Sequence, residues 1–190
     1  MVSELAKAEA EPLGLLALEL FHRSRHATRI DALGDLVLLD EQDRTVWDGH
    51  DINAANKLLH QAMLLMQPGP YQVQAVIAAR HANAVVAADT DWRAIAALYG
   101  QLVAMSASPV VRLNWVVAIA MSDGPLAGLK MLDGIIELDN YHLIWATRGE
   151  LCRRAARVEE ARHAFRRALE LAPNGAERRH LERRLAALGR

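Results

Sequence analysis

Between Arg25 and Asp48 the chain gathers Arg25, Arg29, Asp31, Asp35, Asp40, Glu41, Asp43, Arg44 and Asp48, with Gln42 and Trp47 among them. The carboxylates are hard oxygen donors of the kind a divalent cation takes. Their spacing departs from the EF-hand loop, and the arginines neutralise the same acids, so no metal site is assigned. Two readings stand for this cluster. One is an ion-pair network that pins a connector to the helix before it; the other is a contact surface for a partner. His22 and His26 are four apart and share one side of a helix. A zinc site needs a third ligand, and no HExxH motif is present. His142 and His163 fall inside a helical repeat, where packing or helix-end solvation accounts for them. There is no GxSxG elbow, no phosphate-cradling glycine loop and no nucleotide fingerprint. Cys152 lies mid-helix among apolar neighbours and reads as a small buried hydrophobe. The expectation is a non-enzymatic protein with no cofactor and no metal.

The elements that must position these residues follow from composition and periodicity. The chain has 190 residues, 52% hydrophobic and 24% charged, the balance of an ordinary globular domain. Alanine and leucine dominate over aromatics, which favours helix packed on helix. One cysteine excludes an internal disulfide framework. No apolar run is long enough to span a membrane, and MVSELAKAEAEPLG lacks a signal-peptide core. A cytoplasmic protein without membrane contact is expected. The net charge of −1 hides an asymmetry: residues 151–190 carry eleven arginines against five glutamates. A solvated helix face explains this basic end better than nucleic-acid binding, and no direct DNA contact is expected.

The fold expected is all-α: antiparallel helical hairpins in a short tetratricopeptide-like solenoid, with an N-terminal helical segment and an irregular connector. His142–Gly175 is a window of 34 residues that fits the tetratricopeptide spacing. Trp145, Gly149, Ala161, Phe165, Ala168 and Pro173 fall at the required positions. Small Gly149 and Ala161 let two helices approach, while Trp145 and Phe165 fill the space between hairpins. Ser108–Tyr141 is a weaker copy, with Trp115 in place of Gly149 and a turn at Asp123-Gly-Pro125. A third unit over Pro70–Ser106 pairs a helix over 70–87 with one over 91–105, capped by Thr90 or Asp89. The helix over 176–188, with Leu181, Leu185 and Leu188 on one face, caps the stack. Upstream, Leu13–Arg29 reads as a helix with Leu15, Leu16, Leu18, Phe21 and His22 around its apolar side. The polar connector 30–48 follows, with the short apolar run Leu36–Leu39. Asp48 or Asp51 then starts a helix ending near Met66. Gln67-Pro-Gly-Pro70 is the clearest break, which divides the chain into residues 1–68 and the repeats of 69–190. Gly14, Gly100, Gly128 and Gly134 are placed in helices, where they serve close packing.

Several stretches resemble, in order, one known family. Gly14–Asp48, GPYQVQAVIAARHA (Gly69–Ala82), TDWRAIAALYGQL (Thr90–Leu102), SPVVRLNWVVAIA (Ser108–Ala120), DGPLAGL (Asp123–Leu129), YHLIWATRGELCRR (Tyr141–Arg154) and Ala161–Leu181 carry the likeness. Together they resemble the C-terminal tetratricopeptide-like extension of bacterial extracytoplasmic-function (ECF) sigma factors, RNA polymerase subunits. The two sigma DNA- and polymerase-binding domains of such proteins are absent here. The family pattern falls on Arg25, Arg29, Asp31, Gln42, Asp43, Arg44, Trp47 and Asp48. Asn114-Trp115 departs from the Asn-Arg often seen in the family.

The resemblance implies a regulatory, protein-interaction domain. Its partners would be the sigma DNA-binding domains and core RNA polymerase, and its effect would be on transcription initiation. The Arg25–Asp48 connector and the concave face of the repeats are the two candidate surfaces. Two alternatives remain: a free-standing repeat adaptor for another protein or peptide, and a small-molecule sensor with its ligand near His22, Trp47 and Trp92.

Overall fold

The computed structural model describes residues 2–32 and 34–189, with side chains described over 9–32 and 34–189. Among the described residues the regular elements are all helical. The chain forms two compact units.

The first unit comprises residues 1–31 and 37–107. Its helices are α1 (Val2–Ser24), α2 (Gly49–Leu64), α3 (Pro70–Ala82) and α4 (Trp92–Met105). Ala17, Leu18 and Phe21 of α1 pack with Ala55 and Leu59 of α2 and with Ala75 and Ala79 of α3. Four of these seven are alanines, so the helix backbones approach closely. A Cβ at Gly14 would meet the backbone nitrogen of Gln72 at 2.9 Å. Glu11 exploits this contact: its carboxylate accepts from the backbone N–H groups of Tyr71 and Gln72 at 3.0 and 3.2 Å. These are first-turn donors of α3 that have no partner within their own helix. An acid at this position also complements the helix dipole. Gly69, the N-cap residue of α3, offers no side chain and leaves room for the Glu11 carboxylate.

The second unit comprises residues 32–36 and 108–190. It contains α5 (Pro109–Asp123), α6 (Pro125–Leu132), α7 (His142–Arg154), α8 (Val158–Leu171) and α9 (Gly175–Ala187). Proline at the first position of α5 and of α6 suits a helix start, where the missing N–H costs nothing. The α7–α8 hairpin is built on Gly149, where a Cβ would stand 2.7 Å from the Phe165 ring. The α5–α6 hairpin repeats the device: a Cβ at Gly128 would stand 2.6 Å from that of Ala120. One core joins Leu113, Val116, Leu129, Leu132, Ile144, Leu151, Cys152, Phe165 and Leu181, and Leu185 and Leu188 of the terminal helix segment pack against it. This is the expected all-α, tetratricopeptide-like architecture with a polar capping helix.

Several expectations are corrected. Helix α1 begins at Val2, runs through Pro12 and stops at Ser24, where a 3-10 turn over His26–Thr28 takes over. Leu15, Leu16 and His22 point outward, and the buried stripe is Ala10, Ala17, Leu18 and Phe21. Helix α3 ends at Ala82 rather than 87, and Ala87–Asp89 is a separate 3-10 turn. Asp91, not Thr90 or Asp89, caps α4 by accepting from Ala94 N–H at 2.9 Å. Gly134 lies beyond the end of α6. The units divide after Ala107, not at Gln67–Pro70, because Glu11 and Gly14 bind α3 to α1 across that break.

Candidate functional site

The connector is where most of the sequence-selected residues lie, and the fold fastens most of them. Asp48 stands at the N-cap of α2 and accepts from the N–H groups of His50 and Asp51 at 2.8 and 3.2 Å. Its own N–H donates to the Ser24 carbonyl at 2.9 Å, which ties α2 to the end of α1. Asp43 caps the 3-10 turn Arg44–Val46, accepting from the Thr45 hydroxyl and N–H at 2.7 and 2.9 Å. Those bonds hold its carboxyl below the usual aspartate range, the hydroxyl bond first. Gln42 is buried; its amide donates to the Val37 carbonyl at 3.0 Å and accepts from Thr28 at 3.3 Å. Trp47 is buried and its indole N–H donates to Thr28 Oγ1 at 3.0 Å.

Arg44 reaches furthest. Its Nη1 donates to the carbonyls of His81 and Ala84 at 2.7 and 3.1 Å, and Nη2 to Thr90 Oγ1 at 3.1 Å. The guanidinium lies 5.2 Å from the centre of the Trp47 ring, a cation–π distance. One side chain thus joins the connector to the end of α3 and to the residue before the α4 cap. Gln42, Asp43, Arg44, Trp47 and Asp48 are therefore brought together as a structural lock. Arg25 and Arg29 join it through their backbone carbonyls, which accept from Thr28 and from the Val37 N–H; Arg25 is half-buried, and Arg29 and Asp31 are exposed.

The ion pairs differ from a network closed within the connector. Asp51, buried in α2, takes a bidentate pair from Arg23 of α1 at 2.5 and 2.6 Å. Asp48, His50 and Asp51 each place one ligand atom within 4.8 Å of the others. Helix capping and the Arg23 pair account for that grouping. In the second unit Asp35 is buried between Arg179 and Arg183, on successive turns of α9. Arg179 also donates to the Gly34 carbonyl at 3.1 Å. Gly34 has φ +78°, a left-handed turn that favours glycine. Sequence reading assigned these arginines to a solvated face and missed the clasp; the only signal was a glycine-aspartate pair amid acids.

These pairs set a pH response. Asp35 and Asp51 are held below the ordinary aspartate range, by hydrogen bonds from Arg179 and from Arg23 respectively. Burial lowers His81 to about 4, with Arg44 and Arg25 adding repulsion. Its ring packs edge-on against Trp92 with centroids 5.1 Å apart. The unfolded chain binds a proton at His81 near pH 6.5, whereas the folded chain does so only near 4. Stability therefore falls as pH drops from about 6.5 to 4, and the two aspartates extend the loss below about 4. Urea midpoints measured from pH 7 to 4 are expected to decline, and His81→Gln is expected to flatten the upper part of that decline.

The class defined by this architecture is a helical-repeat protein carrying a tetratricopeptide unit. The tetratricopeptide repeat family matches residues 142–174, the α7–α8 hairpin and its flanking turn. Residues 1–63 match a Family of unknown function (DUF6596). A curated relative, "Uncharacterized protein R00370" of Rhizobium meliloti (strain 1021), is 42% identical over 186 residues. That alignment covers 97% of this chain and 44% of the relative, so the chain spans less than half the relative's length. No solved structure matches. No helix among the described residues is long and apolar enough to cross a membrane.

Proposed function

We propose that this chain is the non-catalytic regulatory and interaction module of an ECF sigma-factor system, working in the bacterial cytoplasm. It docks on the sigma DNA-binding domains, on core RNA polymerase, or on both, and so shifts the sigma factor between competent and incompetent arrangements. The observation that carries the reading is the tetratricopeptide hairpin stacked with a second hairpin and a capping helix. Stacked repeats present extended binding surfaces rather than catalytic pockets. The ordered motifs from Gly14 to Leu181 support the sigma-factor part of the reading. More than half of the longer relative lies outside the match, which leaves room for sigma domains in such a polypeptide.

The lock formed by Gln42, Asp43, Arg44, Trp47 and Asp48 shapes the surface rather than serving as its contact. Arg25 and Arg29 are the connector side chains left for a partner. The test is transcription from a promoter read by the sigma domains, with those domains alone and fused to this chain. A change in transcript yield of several-fold is expected. Equal yields with the fused chain folded would remove the regulatory reading and favour an adaptor for a protein outside transcription.

A further inference from the structure

Arg179 and Arg183 are four apart in α9 and share one side of that helix. Together they grip a single carboxylate: Arg179 Nε donates to Asp35 Oδ1, and Arg183 Nη1 donates to Oδ2. Arg179 Nη2 makes a third bond, to the Gly34 carbonyl at 3.1 Å. The left-handed Gly34 backbone turns that carbonyl and the next carboxylate toward the same helix face. Exposure differs sharply between the two sides. The Asp35 side chain is 8% exposed, whereas each arginine side chain is 50% exposed. The acid is enclosed, while the two guanidinium groups remain open to water on their outer side. Neighbouring charges of α9 are engaged elsewhere: Glu177 faces His142 at 3.1 Å, and Arg178 Nη1 donates to the Leu169 carbonyl at 2.7 Å. Two positive charges thus converge on one negative charge.

We propose that Arg179 and Arg183 form a receptor for an aspartate-bearing peptide segment, and that Gly34–Asp35 is its built-in occupant, which a partner's acidic segment displaces. The three bonds define what the receptor reads: a carboxylate together with the main-chain carbonyl of the residue before it. An aspartate within a peptide presents both at this spacing. A free carboxylic acid or a phosphate ion supplies the charge but not the carbonyl, and a glutamate sets its carboxylate one methylene further out. Arginine suits this role because its planar fork matches carboxylate oxygens. The built-in acid holds the receptor chiefly by its covalent tether, which gives it an effective concentration on the order of millimolar. Ion pairs whose cations stay half in water are individually weak and screened by salt. A segment of the same chemistry therefore replaces Gly34–Asp35 once its concentration, or its other contacts with the protein, outweighs the tether. This surface is separate from Arg25 and Arg29, and it stands whether or not the sigma-factor reading holds.

The probe is a fluorescent peptide of residues 32–37, blocked at both ends and titrated into the full chain by anisotropy. Asp35→Asn removes the built-in carboxylate and should bind the peptide saturably, at least about tenfold more tightly than the parent chain does. Adding Arg183→Gln to that variant should weaken binding about tenfold, a loss of one guanidinium contact. A peptide with asparagine in place of its aspartate should not bind, and acetate at equal carboxylate concentration should compete poorly. Circular dichroism confirms that each variant is folded. The parent chain gives a second reading that needs no variant: excess peptide should speed amide hydrogen exchange at Gly34 and Asp35, as those residues leave α9. A folded Asp35→Asn chain that binds no better than the parent would overturn the receptor. So would binding that ignores Arg183→Gln, acetate competing as well as the peptide, or exchange at Gly34 and Asp35 that excess peptide leaves unchanged.

Discussion

Phe165→Ala is expected to cost about 3–5 kcal/mol, the range for truncating a buried phenylalanine in a core that relaxes only partly. Phe165 is 2% exposed and its ring fills the space that Gly149 leaves open on α7. Removing the ring leaves a glycine facing an alanine, a void neither side can close. A domain's whole stability is about 5–15 kcal/mol, so the second unit should lose most of its folded population in mild urea. Val158→Ala, on the same helix but 41% exposed, should shift the urea midpoint by no more than about 0.5 kcal/mol. Equal midpoints for the two variants would mean that the α7–α8 hairpin is not the packing centre of its unit.

Arg44→Ala is the second large expected effect, about 2–4 kcal/mol. Truncation removes donors from two carbonyls at the end of α3 and from Thr90. A hydrogen bond to a charged group contributes about 1.5–3 kcal/mol, and an acceptor left unpaired costs more than the bond itself contributed. Arg44→Lys should recover little, because one ammonium cannot serve acceptors that the guanidinium fork reaches from two nitrogens. Urea unfolding gives the magnitude. Hydrogen exchange over residues 81–92 locates it, since those amides should lose protection before the rest of the unit. A lysine variant as stable as the parent would contradict the fork geometry.

The parts of the fold that were legible in the sequence are those with a repeating steric demand. Gly149, Ala161, Phe165 and Ala168 must be small or large at fixed intervals, and their types say so directly. The capping helix was legible because Leu181, Leu185 and Leu188 make one stripe on an otherwise polar segment. Polar contacts across long stretches of chain leave no such period. Glu11 reaches α3 from 60 residues away, and Asp35 reaches Arg179 across 144. Each acid looked like any other exposed carboxylate in the sequence. For the same reason the break at Gln67–Pro70 read as a boundary, although Glu11 closes it. In the connector the residue types were informative but their roles were not. Arg44 sat among acids and suggested a local ion pair, whereas its hydrogen bonds run to backbone carbonyls and a threonine on other elements. Helix ends moved for a local reason: the side chain of Asp91, one residue past Thr90, is the one that reaches the α4 N–H groups.

The central claim is that this chain binds a component of the transcription machinery, and calorimetric titration tests it most directly. The chain is titrated into the sigma DNA-binding domains of the same organism and, separately, into core RNA polymerase. The account predicts saturable binding to at least one of them, lost in the mild urea that unfolds the repeats of Phe165→Ala but leaves the parent chain folded. A folded chain that binds neither, whether added free or covalently fused to the sigma domains, would contradict it.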